Sequence, residues 1–89
     1  MATVIAEWTP NDPAEGVTHY NLFKNGALAG QATAPPFSFQ SIPVGVAHTY
    51  GVQAENNDPA PDNVSDIAEA TFTAPRGKPS KPGGFTVHL

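Results

Sequence analysis

Three histidines, eight acids and a few hydroxyls are the groups in this chain that could do chemistry. His19, His48 and His88 stand on separate segments, without the short intervals that let ligands close on one metal ion, and no cysteine accompanies them. A zinc site is not expected, and the imidazoles read as surface or rim groups. The lack of cysteine also removes disulfides, thiolate ligands and a thiol nucleophile. No serine sits in a nucleophile-elbow pattern or beside a histidine that would serve as its base. Catalysis is therefore not expected, and no cofactor is implied. Asn63-Val64-Ser65 fits a glycosylation acceptor, but the first residues lack the basic flank and apolar core of a secretory signal, so the match reads as coincidence.

The acids are more informative. The tetrapeptide Asn-Asp-Pro-Ala occurs twice, at 11–14 and 57–60, and brings Asp12, Glu15, Asp58 and Asp62 into two turn-forming segments. Calcium wants six or more oxygens, and neither segment has the alternating Asp/Asn ladder of a dedicated calcium loop, so no metal is assigned. Asn and Asp side chains bond the backbone ahead of them and proline fixes φ, which makes each tetrapeptide a stiff turn. Stiff acidic loops suit a protein-binding edge.

Charge is unevenly divided. Residues 1–75 hold all eight acids against one base, Lys24, a net −7, whereas Arg76, Lys78 and Lys81 give residues 76–89 a net +3. The tail reads either as a solvated extension or as an arm that docks on an acidic surface. The overall charge of −4 disfavours nucleic acid as the main partner, and no apolar run approaches the length of a membrane helix.

The elements that must position these groups are strands. At 89 residues and 9.3 kDa the chain has room for one core. Period-two alternation dominates it. Expected strands run over Thr3–Thr9, Val17–Lys24, Ala27–Thr33, Phe37–Gln40, His48–Glu55 and Val64–Ala74, with Ile42–Ala47 as a connection. Asn25-Gly26 predicts a two-residue hairpin turn, since both positions need positive φ. Trp8, Tyr20, Leu22, Phe39, Val52 and Phe72 are expected to pack together. Ile67 and Phe72 are the best burial candidates of the last strand, and their odd spacing asks for a bulge near Ala68–Ala70. Short strands separated by frequent turns mean an all-β sandwich or small barrel.

Five motifs in order then resemble the fibronectin type III domain: VIAEWTP, YNLFKNG, YGVQAENN, and VSDIAEATFTAP with its serine near the front and Thr-x-x-Pro-like close. The resemblance covers roughly residues 2–75. It implies an all-β, fibronectin type III-like β-sandwich with strands B–G in 2–75. Trp8 matches the strand B tryptophan, Tyr20 and Leu22 the strand C pair, Tyr50, Val52, Ala54 and Asn56 the strand F set, and Ser65 the opening of strand G. The loops carrying Asp12, Glu15, Asp58 and Asp62 would emerge together beside Ala34-Pro35-Pro36. Two departures stand out. Val44, not leucine, lies six residues before the strand F tyrosine, where the family makes its tyrosine corner. The family's strand A is missing from the front, while KPSKPGGFTVHL reads like its Pro-rich lead and strand, with Phe85, Val87 and Leu89 alternating.

The resemblance implies a non-enzymatic module that binds protein, and the acidic loops, the charge division and the alternating tail make Asp12, Glu15, Asp58, Asp62, Arg76, Lys78, Lys81, Phe85, Val87 and Leu89 its expected partner-binding residues. Similar modules occur in tailed bacteriophage virions, so a multi-copy virion structural or capsid decoration protein is expected, its partner another copy of itself or a capsid or tail protein. A carbohydrate- or cell-surface-binding module, with Phe23 as its exposed aromatic, or an accessory domain in a larger assembly, is the alternative; a cytoplasmic location is the alternative to the virion. Residues 76–89 are expected to be a basic linker and an arm that fills the strand A position of a neighbour or of its own domain.

Overall fold

The computed structural model describes residues 1–77 and 83–89. Six strands form, β1 (Ala2–Ala6), β2 (His19–Lys24), β3 (Ala27–Ala32), β4 (Phe37–Ile42), β5 (Ala47–Glu55) and β6 (Ala68–Thr73), with one short 3-10 turn at Pro13–Glu15. They make two antiparallel sheets, β1-β4 and β3-β2-β5-β6. The buried core between them is Tyr20, Leu22, Phe39, Ile42, Tyr50, Ala54 and Ala74, with Val4, Trp8, Phe37 and Val52 packed against it partly buried. An edge-on Phe39–Tyr50 contact at 4.8 Å and a tilted Trp8–Tyr20 contact at 5.2 Å join the sheets' aromatics.

The ladders place the two ends of the sandwich. Tyr20 pairs with both Ala54 and Ala32, and Ala6 pairs with Phe37, so the loops 7–18, 33–36 and 56–67 share one pole. At the other pole lie Ala2 opposite Ile42, the Asn25-Gly26 turn, and the exit of β6, where Gly45 N donates to Ala74 O at 2.8 Å. Asn25 and Gly26 have φ of 51° and 81°, as the hairpin turn requires. The Asn25 Oδ1 also accepts from Thr49 N at 2.9 Å, tying the turn to β5.

Three expectations need correction. Ile42 belongs to β4, not to a connection, because β4 carries a bulge. Ala2 faces Ile42 and Val4 faces Phe39, so Gln40 and Ser41 oppose Thr3 alone, and Ser41 takes a positive φ of 56°. The extra residue turns Ile42, only 2 % exposed, into the core. In β6 the ladder to β5 is regular, with no bulge near Ala68–Ala70. Ile67 instead lies before the strand, on the sheet's outer face, where its methyl covers the space a Cβ at Gly51 would occupy. Phe72 pairs with His48 and shares the inward row with Ala70, yet it stays 50 % exposed. Nothing among the described residues stands over it.

The start of the last strand is held by side chains where a continuous ladder was expected. Ser65 N donates to Ala54 O, the Ser65 Oγ accepts from Ala54 N at 2.9 Å, and the same hydroxyl donates to Asp66 O at 2.8 Å. Serine thus makes the turn onto β6 without leaving the Ala54 amide unpaired.

Leu22 has no exposed surface, whereas Phe72 is half open, so truncation separates the closed core from the open face. Leu22→Ala should cost about 3–5 kcal/mol and Phe72→Ala less than about 1.5 kcal/mol, read from denaturant midpoints. Equal costs would contradict this placement.

Candidate functional site

A groove of about 710 Å³ runs along the sandwich between β1 and β6. Its two walls come from different sheets. Val4, Ile5 and Trp8 line it on the β1 side, and Ala70, Phe72 and Ala74 on the β6 side. Leu22, Phe39 and Tyr50 lie behind them. Alternation sends Val4 inward on β1 and Ala70 and Phe72 inward on β6, while Ile5, of the opposite parity, borders the opening. β1 pairs only with β4 among the described strands, so one row of its backbone groups has no ladder. Ile5 is 54 % exposed at the rim on the β1 side, and Phe72 is half exposed on the β6 side.

Two polar atoms of this region lack partners among the described residues, the Trp8 indole nitrogen and the Tyr50 hydroxyl, both buried. Tyr50 therefore makes no tyrosine corner with the segment around Val44. Burial alone pushes the Tyr50 phenol above the usual tyrosine range.

The acidic loops meet at one pole, as expected. Asp12 caps the 3-10 turn: its Oδ1 accepts from Ala14 N at 2.9 Å while Glu15 Oε2 accepts from Asp12 N at 3.2 Å. Asn56 joins this loop to the other, its Nδ2 donating to Glu15 O at 3.1 Å and to Asp58 Oδ2 at 3.2 Å. Asp62 holds its own turn through its backbone N and Pro59 O. Among the described residues no three His, Cys, Asp or Glu groups come close enough to hold a metal ion. The carboxylates of Asp12, Glu15 and Asp58 brace their loops, and with Asp62 they leave an exposed negative pole.

The basic candidates stand elsewhere. Arg76 follows β6 at the opposite pole, its guanidinium packed over Gly45, which has φ of 73° and no room for a Cβ. Lys78 and Lys81 lie outside the described residues. Phe85, Val87 and Leu89 are exposed, and residues 83–89 lie in no strand among the described residues. The segment is extended in pattern all the same: Thr86 Oγ1 and His88 Nε2 lie 3.0 Å apart, on a common side. His19 reaches Glu55, at 3.4 Å, and Thr18 Oγ1 at its other ring nitrogen, within a polar cluster on the outer face of the larger sheet; His48 contacts Asn25. Neither histidine enters the groove.

Val4 and Ile5 stood out in the sequence at an edge open to pairing, whereas Ala70 and Phe72 were not singled out as binding residues. Their signal was present in the missing strand beside β1, which leaves the rows on either side without cover.

Comparison with protein-family models, with curated proteins and with solved structures finds no match to this chain.

The raised Tyr50 pKa fixes the sign of a pH effect. Above about pH 10 the unfolded chain releases a proton that the folded chain keeps, so this group's contribution is complete below that pH and is lost as pH rises through the folded pKa. Tyr50→Phe should weaken the alkaline loss of stability, and at pH 7 it should leave stability unchanged or slightly higher, because a buried hydroxyl without a partner is removed. Parallel melting curves from pH 8 to 11 would expose an error if the two proteins lost stability identically.

Proposed function

We propose that this chain is a fibronectin type III-like sandwich in which, among the described residues, β1 pairs on one side only, and that it serves as a non-enzymatic, protein-binding structural module. What supports the fold part of this reading is the order β3-β2-β5-β6 facing β1-β4, as strands C′-C-F-G and B-E of the resembled fold would require, with Trp8, Tyr20, Leu22 and Tyr50 in or against the core. The observation that carries the reading is the open groove. An unpaired strand edge bordered by apolar rows suits an extended peptide, whose backbone would bond to β1 while alternate side chains fill the groove. The setting we propose, a multi-copy virion structural or capsid decoration role, follows the likeness to modules of tailed bacteriophage virions. Phe23, the aromatic that a sugar-binding face would use, is partly buried beside Gly51.

Panning a random-peptide library and probing a glycan array, with the chain immobilised sparsely so that copies do not meet, test this reading. Enriched peptides should show period-two apolar residues and should be lost with Ile5→Lys/Phe72→Lys, two rim substitutions at half-exposed sites that leave the fold intact. Absence of groove-dependent enrichment, or glycan binding abolished by Phe23→Ala, would contradict it.

A further inference from the structure

We infer that the groove between β1 and β6 is filled by residues Phe85–Leu89 of a second copy of this chain. The inference rests on the reading of the groove as a strand-accepting edge, and it names the occupant. Reach agrees first, since Phe85–Leu89 spans about 17 Å when extended, enough to run along all five residues of β1. Pattern agrees next. Phe85, Val87 and Leu89 present one apolar row, and Thr86 and His88 share the other side. Inserted beside β1, the apolar row would lie on Leu22, Phe39 and Phe72, and the polar row would face water.

Direction and charge select a neighbour placed head to tail. A strand antiparallel to β1 must enter at the acidic loop pole, where β1 ends, and run toward Ala2. The donor chain leaves β6 at the opposite pole, beside Gly45 and Ala2. Stacking the exit pole of one copy on the loop pole of the next therefore brings the entry of the groove to the donor's linker. That linker carries Arg76, Lys78 and Lys81 and no acid, while the pole it meets carries Asp12, Glu15, Asp58 and Asp62. Each copy both donates and accepts, so the contact is heterologous and repeats along a row of copies. This is a route to a multi-copy structure from one small chain.

Complementation between two defective full-length chains tests the inference. Ile5→Lys/Phe72→Lys spoils the groove and keeps the tail; Phe85→Asp/Val87→Asp spoils the tail and keeps the groove. All four positions are half or more exposed, so both chains should fold, with circular dichroism as the check. By sedimentation, the unaltered chain should grow beyond two copies as its concentration rises toward about 1 mM, and each variant alone should self-associate at least about tenfold more weakly. Mixed, the two variants should form a species that stops at two chains, because one can only donate and the other only accept. A monomeric unaltered chain, self-association unchanged in either variant, or a mixture that stays monomeric would each overturn the inference. Should it fall while library peptides still enrich on the groove, the strand-accepting edge stands and only the occupant is wrong. Should neither bind, both readings fall.

Discussion

Every strand of a sheet carries two rows of backbone donors and acceptors, and among the described residues β1 has a ladder for only one of them. This single shortage organises much of the molecule. A larger sheet of four strands is covered by one of two, so part of its inward face has nothing above it. The uncovered part is the β6 side, where small residues, Ala68, Ala70 and Ala74, leave depth, and Phe72 is left half in water. A third strand beside β1 would complete its ladder and cover that row at once. Hydrophobic burial and hydrogen bonding thus favour the same remedy.

The rest of the fold is built to hold this edge in place. Leu22 and Ile42 are the largest fully buried side chains, and they fix β2 against β4. The β4 bulge directs Ile42 inward at the end where β1 begins. Asn21, buried on the outer face, donates to Gln53 and Glu55 and accepts from Gln31, which ties three strands together without an apolar layer. The acidic loops are braced by Asn56 and by the Asp12 cap, so the negative pole is a fixed surface. A small domain has only about 5–15 kcal/mol of stability, and an added strand would be a substantial part of it.

Much of this was legible in the residues, for local reasons. Asn25-Gly26 demanded its turn, and the alternation of Tyr20-Leu22 and Tyr50-Val52 matched two central strands whose neighbours lie on both sides. Features that depend on a partner strand were not. The bulge at Ser41 shifts the inward row from odd to even positions, so Ile42 fell outside a period-two reading. Ile67 looked like core until Gly51, far away in sequence, offered it a seat on the outer face. Phe72 points inward as its alternation implies, but burial needs a strand that the described chain does not supply. The acidic pole was visible as a repeated tetrapeptide, whereas the groove was visible only as an absence.

The central claim is that β1 has an open edge that takes up an extended strand. Residue-resolved hydrogen exchange across β1, followed as the unaltered chain is concentrated, tests it most directly. The account predicts that a set of β1 amides exchanges fast in dilute solution and becomes protected as concentration rises, while β2 and β5 stay protected throughout. Protection of every β1 amide at all dilutions, or fast exchange that concentration never slows, would contradict it.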